Sequence, residues 1–300
     1  MPTAVPALDR AVAILTLLRN RPLESFSLSD FSRETGIHKA TCAAILRTME
    51  SHGLVSRSSN LRYTLGPALV GLAQAYRDRF QPFIVGRPEI WRLAERVHLS
   101  CSATVLDGDD MVVLDIYGDT QPSHLPMRIG TRLQMAPPLG SVFTAWRDPE
   151  AVSKWLDEIE TLFEGDRINH LTSLATVRAR GFALGVEQDF HVEFAAVLRE
   201  AAKAETQDQG AVWVATMIAD KMRNIQMSGA TPDTEDEPVN YLVAPVFGRD
   251  SQVVMSVNMF GQFGEIRRRD IDRIGEELLK TTSRITHRIG GVFPPGYRAG

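Results

Sequence analysis

The sequence is poor in cysteine and has no long apolar run. Its 300 residues include two cysteines, Cys42 and Cys101, which are too few and too far apart to indicate a disulfide framework. No stretch approaches the roughly 18 apolar residues that a membrane helix needs. The N-terminus also lacks the basic and then apolar order of a secretory signal. These features predict a cytoplasmic protein with reduced thiols and no membrane partner.

The motifs of common enzyme classes are missing as well. The sequence contains no G-x-x-x-x-G-K-[ST], no G-x-S-x-G, no H-E-x-x-H and no G-x-G-x-x-G. Its seven histidines are scattered, and His98 and Cys101 form a lone H-x-x-C without the second pair that a zinc site needs. We therefore predict a protein that is not an enzyme and holds no metal or cofactor. An enzyme remains the alternative from another class.

Charge is distributed unevenly along the chain. The net charge is −4, but residues 1–80 carry ten Lys and Arg against six Asp and Glu, a balance of +4. The remaining 220 residues carry 23 against 31, a balance of −8. A basic N-terminal part on an acidic body suggests a polyanion as the partner of the N-terminal part.

Residues 27–66 combine two helix-length patterns with a short alternating segment. Ser27 and Asp30 give the first helix a capping-box-like start, and Gly36 is placed to end it. The second helix stops at Gly53, and its inner face carries Cys42, Ile45, Leu46 and Met49. The segment "LVSRSSNLRYTLG" that follows predicts a two-stranded hairpin. This order predicts a winged helix-turn-helix for double-stranded DNA, with a helical hairpin packed on the next domain as the alternative.

The outward side of the second helix is expected to face the major groove. His38, Lys39, Thr41 and Arg47 supply the groups that can read bases, whereas alanines can only touch a thymine methyl. Arg57 and Arg62 of the hairpin can reach phosphate or the minor groove. The predicted DNA-binding residues are Ser27, His38, Lys39, Ala40, Thr41, Ala43, Arg47, Arg57 and Arg62.

The rest of the chain alternates between helical and strand patterns. Helical patterns occur at 68–80, 88–99, 148–163, 171–184 and 270–290, and strand pairs at 100–117 and 241–261. We predict an α+β protein with a winged helix-turn-helix at 1–66, a linker helix at 67–82 and an effector-binding domain at 83–300. Within that domain, residues 193–238 predict an additional segment of two helices and a mobile acidic loop.

Several segments resemble the IclR family of bacterial transcription regulators. They are "LDRAVAILTLL", "TGIHKATCAAILRTMESHGLV" and "YTLGPALVGLA", and in the body "SCSATVLDGDDMVVLD", "RARGFAL" and "VAPVF". The resemblance implies a winged helix-turn-helix joined by a helix to a GAF-like α/β domain. It also implies dimers, or dimers of dimers, on palindromic operators, with a small organic acid or aromatic molecule as effector. The sequence departs from the family at Ala40, where serine is usual, and in "PPLGSVF", where a threonine-alanine-x-glycine-lysine stretch is usual.

The residues that would hold an effector follow partly from strand alternation. Ser102 and Thr104 share one face of a strand, while Cys101, Ala103 and Val105 share the other, and the pattern does not decide which face lines a cavity. With those that the resemblance implies, the candidates are Ser102, Thr104, Met135, Pro137, Leu139, Gly140, Glu187, Asp189, Ser256 and Asn258. Our hypothesis is that 193–238 reshapes or covers this pocket for a larger or less polar ligand. Alternatively, the domain has lost ligand binding and serves only assembly.

Overall fold

The computed structural model describes residues 5–118, 129–135, 137, 139–160, 167–186, 239–260, 266 and 268–300. The chain divides into two compact units, Met1–Phe80 and Gln81–Gly300. The predictions for Glu187, Asp189 and the 193–238 segment lie outside the described residues. Among the described helices, none combines the length and the apolar character that spanning a bilayer requires.

Three helices form the body of the first unit: α1 (Pro6–Asn20), α2 (Leu28–Thr35) and α3 (Lys39–Ser51). A capping box starts α2, since the Ser27 hydroxyl accepts from the Asp30 amide at 3.2 Å and the Asp30 carboxylate accepts from the Ser27 amide at 2.9 Å. Gly36 ends α2 with a φ of +68°, the left-handed conformation that glycine adopts without steric cost. Both predicted helix boundaries are confirmed.

An antiparallel hairpin follows α3 and forms the wing. Its strands are β1 (Val55–Arg57) and β2 (Tyr63–Leu65), with Val55 opposite Leu65 and Arg57 opposite Tyr63. The predicted hairpin is confirmed. Phe26 and Tyr63 exchange two backbone hydrogen bonds of 3.0 and 2.8 Å. These bonds tie the wing to the segment that precedes α2, so the wing and the helix pair are held in one orientation.

The apolar core of the first unit fixes which side of α3 faces outward. Cys42, Leu46 and Met49 are buried, and Ile45 packs against them from a half-buried position. The Phe31 ring lies between Phe26 and Tyr63, at centroid distances of 5.5 and 6.1 Å. Because this cluster takes the predicted inner face of α3, the opposite face of the helix is left toward solvent.

The next two helices are α4 (Ala68–Arg79) and α5 (Gln81–Val97). The helical pattern predicted at 68–80 corresponds to α4, which ends at Arg79, and Pro82 lies in the first turn of α5. Proline is tolerated there because the first amides of a helix have no intrahelical acceptor. The range 67–82 predicted for the linker helix therefore includes the beginning of a second helix.

The described strands of the second unit form a six-stranded antiparallel sheet in the order β5-β4-β3-β8-β7-β6. The strands are β3 (Ser100–Asp107), β4 (Asp110–Tyr117), β5 (Arg132–Gln134), β6 (Ala183–Val186), β7 (Val239–Phe247) and β8 (Val253–Phe260). The predicted pairs β3–β4 and β7–β8 are confirmed. The helical prediction at 171–184 is wrong after Arg180, because Gly181 adopts a φ of +87° and the chain then enters β6.

Helices cover both faces of this sheet. On one face lie α5 and α9 (Arg268–Arg288), where Met255 packs against Gly86. The opposite face carries an apolar cluster that includes Met135, Tyr241 and Phe260. The remaining described helices are α6 (Ser141–Thr144), α7 (Pro149–Glu160) and α8 (Arg167–Arg180). The arrangement confirms the α+β class.

Candidate nucleic-acid interface and effector site

The start of α3 presents donors to the outside of the first unit. His38 is the N-cap residue, and its Nδ1 accepts from the Ala40 amide at 3.4 Å. Because Nδ1 acts as an acceptor, we assign the proton of the neutral ring to Nε2, which leaves a donor for a partner. Lys39 and Ala40 are exposed in the first turn. The positive end of the helix dipole adds to this cationic surface.

The outward face of α3 is a row of small residues around one arginine. Ala40, Ala44, Arg47 and Ser51 are exposed at helical spacing, and Thr41 and Ala43 are half-buried at the flanks. Small side chains let the helix approach base edges closely. Arg47 is the residue on this face that can form the bidentate contact with guanine.

Arg62, predicted to contact DNA, is bound within the first unit. Its Nε donates to Ser25 Oγ at 2.9 Å and to the Ser25 carbonyl at 3.1 Å, and its Nη2 donates to the same carbonyl. Nη2 also lies 3.3 Å from Asp30 Oδ2. The guanidinium therefore holds the end of the wing to the start of α2. Sequence reasoning missed Ser25 as its partner, because 37 residues separate the two and no local pattern links them.

Ser27 has its polar groups engaged in the same network. Its hydroxyl donates to Asp30 Oδ2 at 2.8 Å in addition to accepting from the Asp30 amide. Hydrogen bonds from the backbone and the hydroxyl of Ser27, with a smaller contribution from Arg33, lower the pKa of Asp30 to about 2. The ionised Asp30 carboxylate thus joins the cap of α2 to the wing.

Arg57 has a different environment from Arg62. It lies on β1, is exposed, and its guanidinium carbon is 5.6 Å from the centroid of the Tyr63 ring. A cation–π contact of this kind orients the side chain and leaves its N–H groups available for phosphate. Residues 35–62 contain Lys39, Arg47, Arg57 and Arg62 against Glu50 alone, so the surface that includes α3 and the wing is positively charged.

Four of the predicted effector residues form one buried hydrogen-bonded cluster in the second unit. Asn258 Nδ2 donates to Ser102 Oγ at 3.0 Å and to Thr104 Oγ1 at 2.9 Å, and Ser256 Oγ donates to Asn258 Oδ1 at 3.2 Å. The register explains the cluster, since Ser102 pairs with Asn258 and Thr104 with Ser256 on β3 and β8. None of the four is more than 8% exposed.

The structure also decides which face of β3 the cluster occupies. Met255 packs against Gly86 of α5, and side chains alternate along β8, so Ser256 and Asn258 point to the face opposite α5 and α9. Ser102 and Thr104 share that face. Cys101 lies on the other face, fully buried, and burial raises the pKa of its thiol.

The predicted closing segment lies on the same side of the sheet as the polar cluster. Met135 is buried in the apolar cluster that includes Phe260, and Pro137 is buried as well. Leu139 and Gly140 are half-buried, and the Leu139 carbonyl accepts from Trp155 Nε1 at 3.0 Å. Gly140 adopts a φ of +83°, and a Cβ there would collide with Met135. Hydroxyl and amide groups and an apolar wall thus share one face of the sheet.

The described residues contain no candidate metal centre. Their His, Cys, Asp and Glu side chains form no group of three or more that could hold a metal ion. Cys42 and Cys101 are buried free thiols.

Two helices joined by a tight turn and followed by a basic hairpin define the first unit as a winged helix-turn-helix DNA-binding domain. The family model of the IclR helix-turn-helix domain matches residues 7–59. Over 198 residues the chain is 29% identical to the glycerol operon regulatory protein of Streptomyces coelicolor, covering 61% of this chain and 74% of that protein. It is 26% identical to the HTH-type transcriptional regulator XynR of Escherichia coli, covering 62% and 76%.

Solved structures show the same fold over nearly the whole chain. An IclR transcriptional regulator from Alicyclobacillus acidocaldarius matches with a TM-score of 0.66 and 18% identity, covering 96% of this chain and all of that one. An IclR homologue from Microbacterium hydrocarbonoxydans, solved in complex with 4-hydroxybenzoate, matches with a TM-score of 0.62 and 15% identity, covering 94% and 98%. Residues 7–59 thus match the helix-turn-helix domain of the IclR family, and the chain is similar to transcription regulators over most of its length. It is a DNA-binding transcription regulator.

Proposed function

We propose that the outward face of α3 binds the major groove of an operator and that Arg47 reads a base there. The observation that carries this proposal is the orientation of α3, which buries Cys42, Leu46 and Met49 and leaves Arg47 exposed among small residues. His38 and Lys39 bind phosphate at the helix N-terminus, and Ala40, Thr41 and Ala43 contact base edges and methyl groups. Arg57 binds phosphate from the wing.

Ser27 and Arg62 act in this proposal as positioning residues. The polar groups of Ser27 are engaged by Asp30, and the guanidinium of Arg62 is engaged by Ser25 and Asp30. Together they fix the angle between the wing and the helix pair, and so determine whether Arg57 and Arg47 reach DNA at the same time.

The active form proposed here is a homodimer held through the first unit. No residue of α4 is buried, although three of its side chains are large and apolar. Val70, Leu72 and Tyr76 are 72%, 62% and 54% exposed. On α1, Leu8 and Val12 are 63% and 48% exposed. Exposed apolar residues on two helices of a small domain suit an isologous contact with a second copy. Two α3 helices about 34 Å apart would read a palindromic site.

A small organic molecule binds beside the polar cluster of β3 and β8. The hydroxyls of Ser102 and Thr104 and the amide of Asn258 offer uncharged hydrogen bonds next to the apolar wall of Met135, which suits an aromatic ring with polar substituents. The 4-hydroxybenzoate bound by the structural neighbour is a molecule of this class. Such a ligand changes operator affinity 5- to 150-fold if it binds two conformations of the dimer with free energies that differ by about 1–3 kcal/mol.

A second candidate function for the second unit is to assemble copies of the protein without binding a ligand. It is favoured by the polar cluster itself, whose members already satisfy one another: Asn258 donates to two hydroxyls and accepts from Ser256. Thermal unfolding with and without 4-hydroxybenzoate and related aromatic and aliphatic carboxylic acids separates the two. A ligand-dependent rise in the midpoint supports an effector site, and no rise with any of these acids supports assembly alone.

Selection of bound duplexes from random DNA tests the main proposal. The expected result is an enriched palindrome, with binding that weakens as salt is raised because counterions are released from the phosphates. Absence of affinity for any duplex at low ionic strength would overturn the proposal. An enriched sequence without two-fold symmetry would overturn the dimer while leaving DNA recognition in place.

A further inference from the structure

The tip of the wing contains a leucine in a conformation that suits glycine. Leu61 has a φ of +60°. Its amide donates to the Ser58 carbonyl at 3.0 Å, and the Ser58 amide donates to the Arg62 carbonyl at 2.8 Å. This is the pattern of a three-residue hairpin loop, a turn followed by one left-handed residue. The left-handed place is usually taken by glycine or asparagine, because a Cβ there crowds the following carbonyl.

Packing within the first unit does not offset this strain. The Leu61 side chain is 58% exposed, and Ser59 and Asn60 beside it are exposed as well. Leu61 is not part of the buried core of the unit. Among the described residues, the other non-glycine residues with a positive φ are His98 and Ser251, and both are polar. A large apolar side chain therefore stands in a strained backbone position where water surrounds most of it.

The surroundings of Leu61 favour DNA as the partner that covers it. Residues 51–66 contain two arginines, Arg57 and Arg62, and no acidic residue. A wing with this charge is attracted to the minor groove, whose negative potential draws arginine. Proteins that enter the minor groove use leucine and similar apolar side chains against sugars and base steps.

We propose that Leu61 enters the minor groove beside each half-site and packs its side chain against the deoxyribose walls. The hairpin places Leu61 in the loop of the wing, between Arg57 and Arg62 along the chain, with an exposed side chain. The contact adds affinity through desolvation of apolar surface and restricts binding to duplexes whose minor groove admits the side chain. This inference rests on the proposed DNA-binding role of the first unit.

Three substitutions in the full-length protein test the contact. Leu61→Gly and Leu61→Asn remove the apolar side chain and suit the left-handed backbone, whereas Leu61→Met retains an apolar side chain of similar size. Affinity is measured on the duplex enriched by selection, and deoxyribose contacts are mapped by hydroxyl-radical footprinting. Thermal unfolding and sedimentation of each variant report on the fold and on the oligomeric state.

The expected results separate a DNA contact from a structural role. Glycine and asparagine should lower operator affinity on the order of tenfold, the loss expected for leaving a leucine side chain in water. They should also remove protection of the sugars that flank each half-site, with an unfolding midpoint equal to or above that of the wild type. Methionine should bind close to the wild-type level. The sedimentation of all three should match the wild type.

Two outcomes would overturn the inference, and they differ from the failure of DNA binding itself. Unchanged affinity and footprint in Leu61→Gly, with a wild type that binds its operator, removes Leu61 from the interface and leaves the proposed function intact. Altered sedimentation in both Leu61→Gly and Leu61→Asn assigns Leu61 to a contact between protein copies. A wild type that binds no duplex defeats the proposed function first.

Discussion

Nη2 of Arg62 lies 3.3 Å from Oδ2 of Asp30, so a residue at the end of the wing contacts the first turn of α2. The two are 32 positions apart in the chain, and Ser25 completes the contact with a hydrogen bond of 2.9 Å to Arg62 Nε. This contact separates the two arginines of the wing. Arg62 acts inside the domain, whereas Arg57 extends over the Tyr63 ring with its N–H groups available.

Replacing Arg62 should therefore affect stability, whereas replacing Arg57 should affect DNA binding. Arg62→Ala should lower the free energy of unfolding by about 1 kcal/mol, because it removes the hydrogen bonds to Ser25 and the ion pair with Asp30 at a part-exposed site. Arg57→Ala should leave stability unchanged. It should reduce the slope of log affinity against log salt concentration by about 1, because one phosphate contact is lost. Urea unfolding and binding titrations at several salt concentrations check both. Equal stability losses in the two variants would contradict the distinction.

Acid should loosen the first unit through Asp30. Its folded-state pKa, about 2, lies below the value of about 3.9 expected in the unfolded chain. Because the pKa is lower in the folded state, the ionised Asp30 carboxylate stabilises the fold. This contribution is fully present above about pH 4 and is lost as the pH falls toward 2. Asp30→Asn should unfold more easily at neutral pH, and the gap to the wild type should close toward pH 2. The urea midpoints of both proteins, followed by circular dichroism from pH 2 to 7, measure the gap, and a gap constant with pH would rule out this carboxylate.

The parts of the fold that the sequence predicted well depend on neighbouring residues. The capping box of Ser27 and Asp30, the left-handed Gly36 and the wing each arise within a few positions of the chain. The partners of Arg62 were not predictable, because that contact forms only when the wing packs on the helix pair. The face of β3 that carries Ser102 was also undecided, because residues 100–105 are all buried and their exposure does not alternate.

Arg47 should contribute more to sequence preference than to general DNA affinity. Arg47→Ala should cost about 1–3 kcal/mol on the selected operator and much less on random duplex, since it removes a base contact. Arg269→Ala, which removes a 71% exposed arginine from the second unit, is the matched control and should change neither affinity. Competition between the two duplexes measures the ratio directly. Equal losses on both would assign Arg47 to the phosphates.

The polar cluster offers a way to separate stability from ligand binding. Asn258→Ala leaves the buried hydroxyls of Ser102 and Thr104 without their donor and should destabilise the second unit by about 1–3 kcal/mol. Combining Asn258→Leu with Ser102→Ala and Thr104→Val removes both sides of the two bonds that Asn258 donates and should recover part of that loss. If the cluster binds the effector, the triple variant folds but loses the ligand-induced rise in unfolding midpoint. A rise that persists would locate the ligand elsewhere.

Charge placed on α4 should break the proposed dimer. Leu72 and Tyr76 are four residues apart and lie on one helical face, 62% and 54% exposed. A glutamate at position 72 would have to lose its hydration to enter an apolar contact, so Leu72→Glu should shift the protein toward monomer and weaken binding to a two-half-site operator. Binding to a single half-site should change little, because α3 and the wing are untouched. Gln74→Glu adds the same charge on another side of α4 and should remain dimeric. Sedimentation over a range of concentrations reports the assembly, and a Leu72→Glu protein that sediments as the wild type does would remove this face of α4 from the interface.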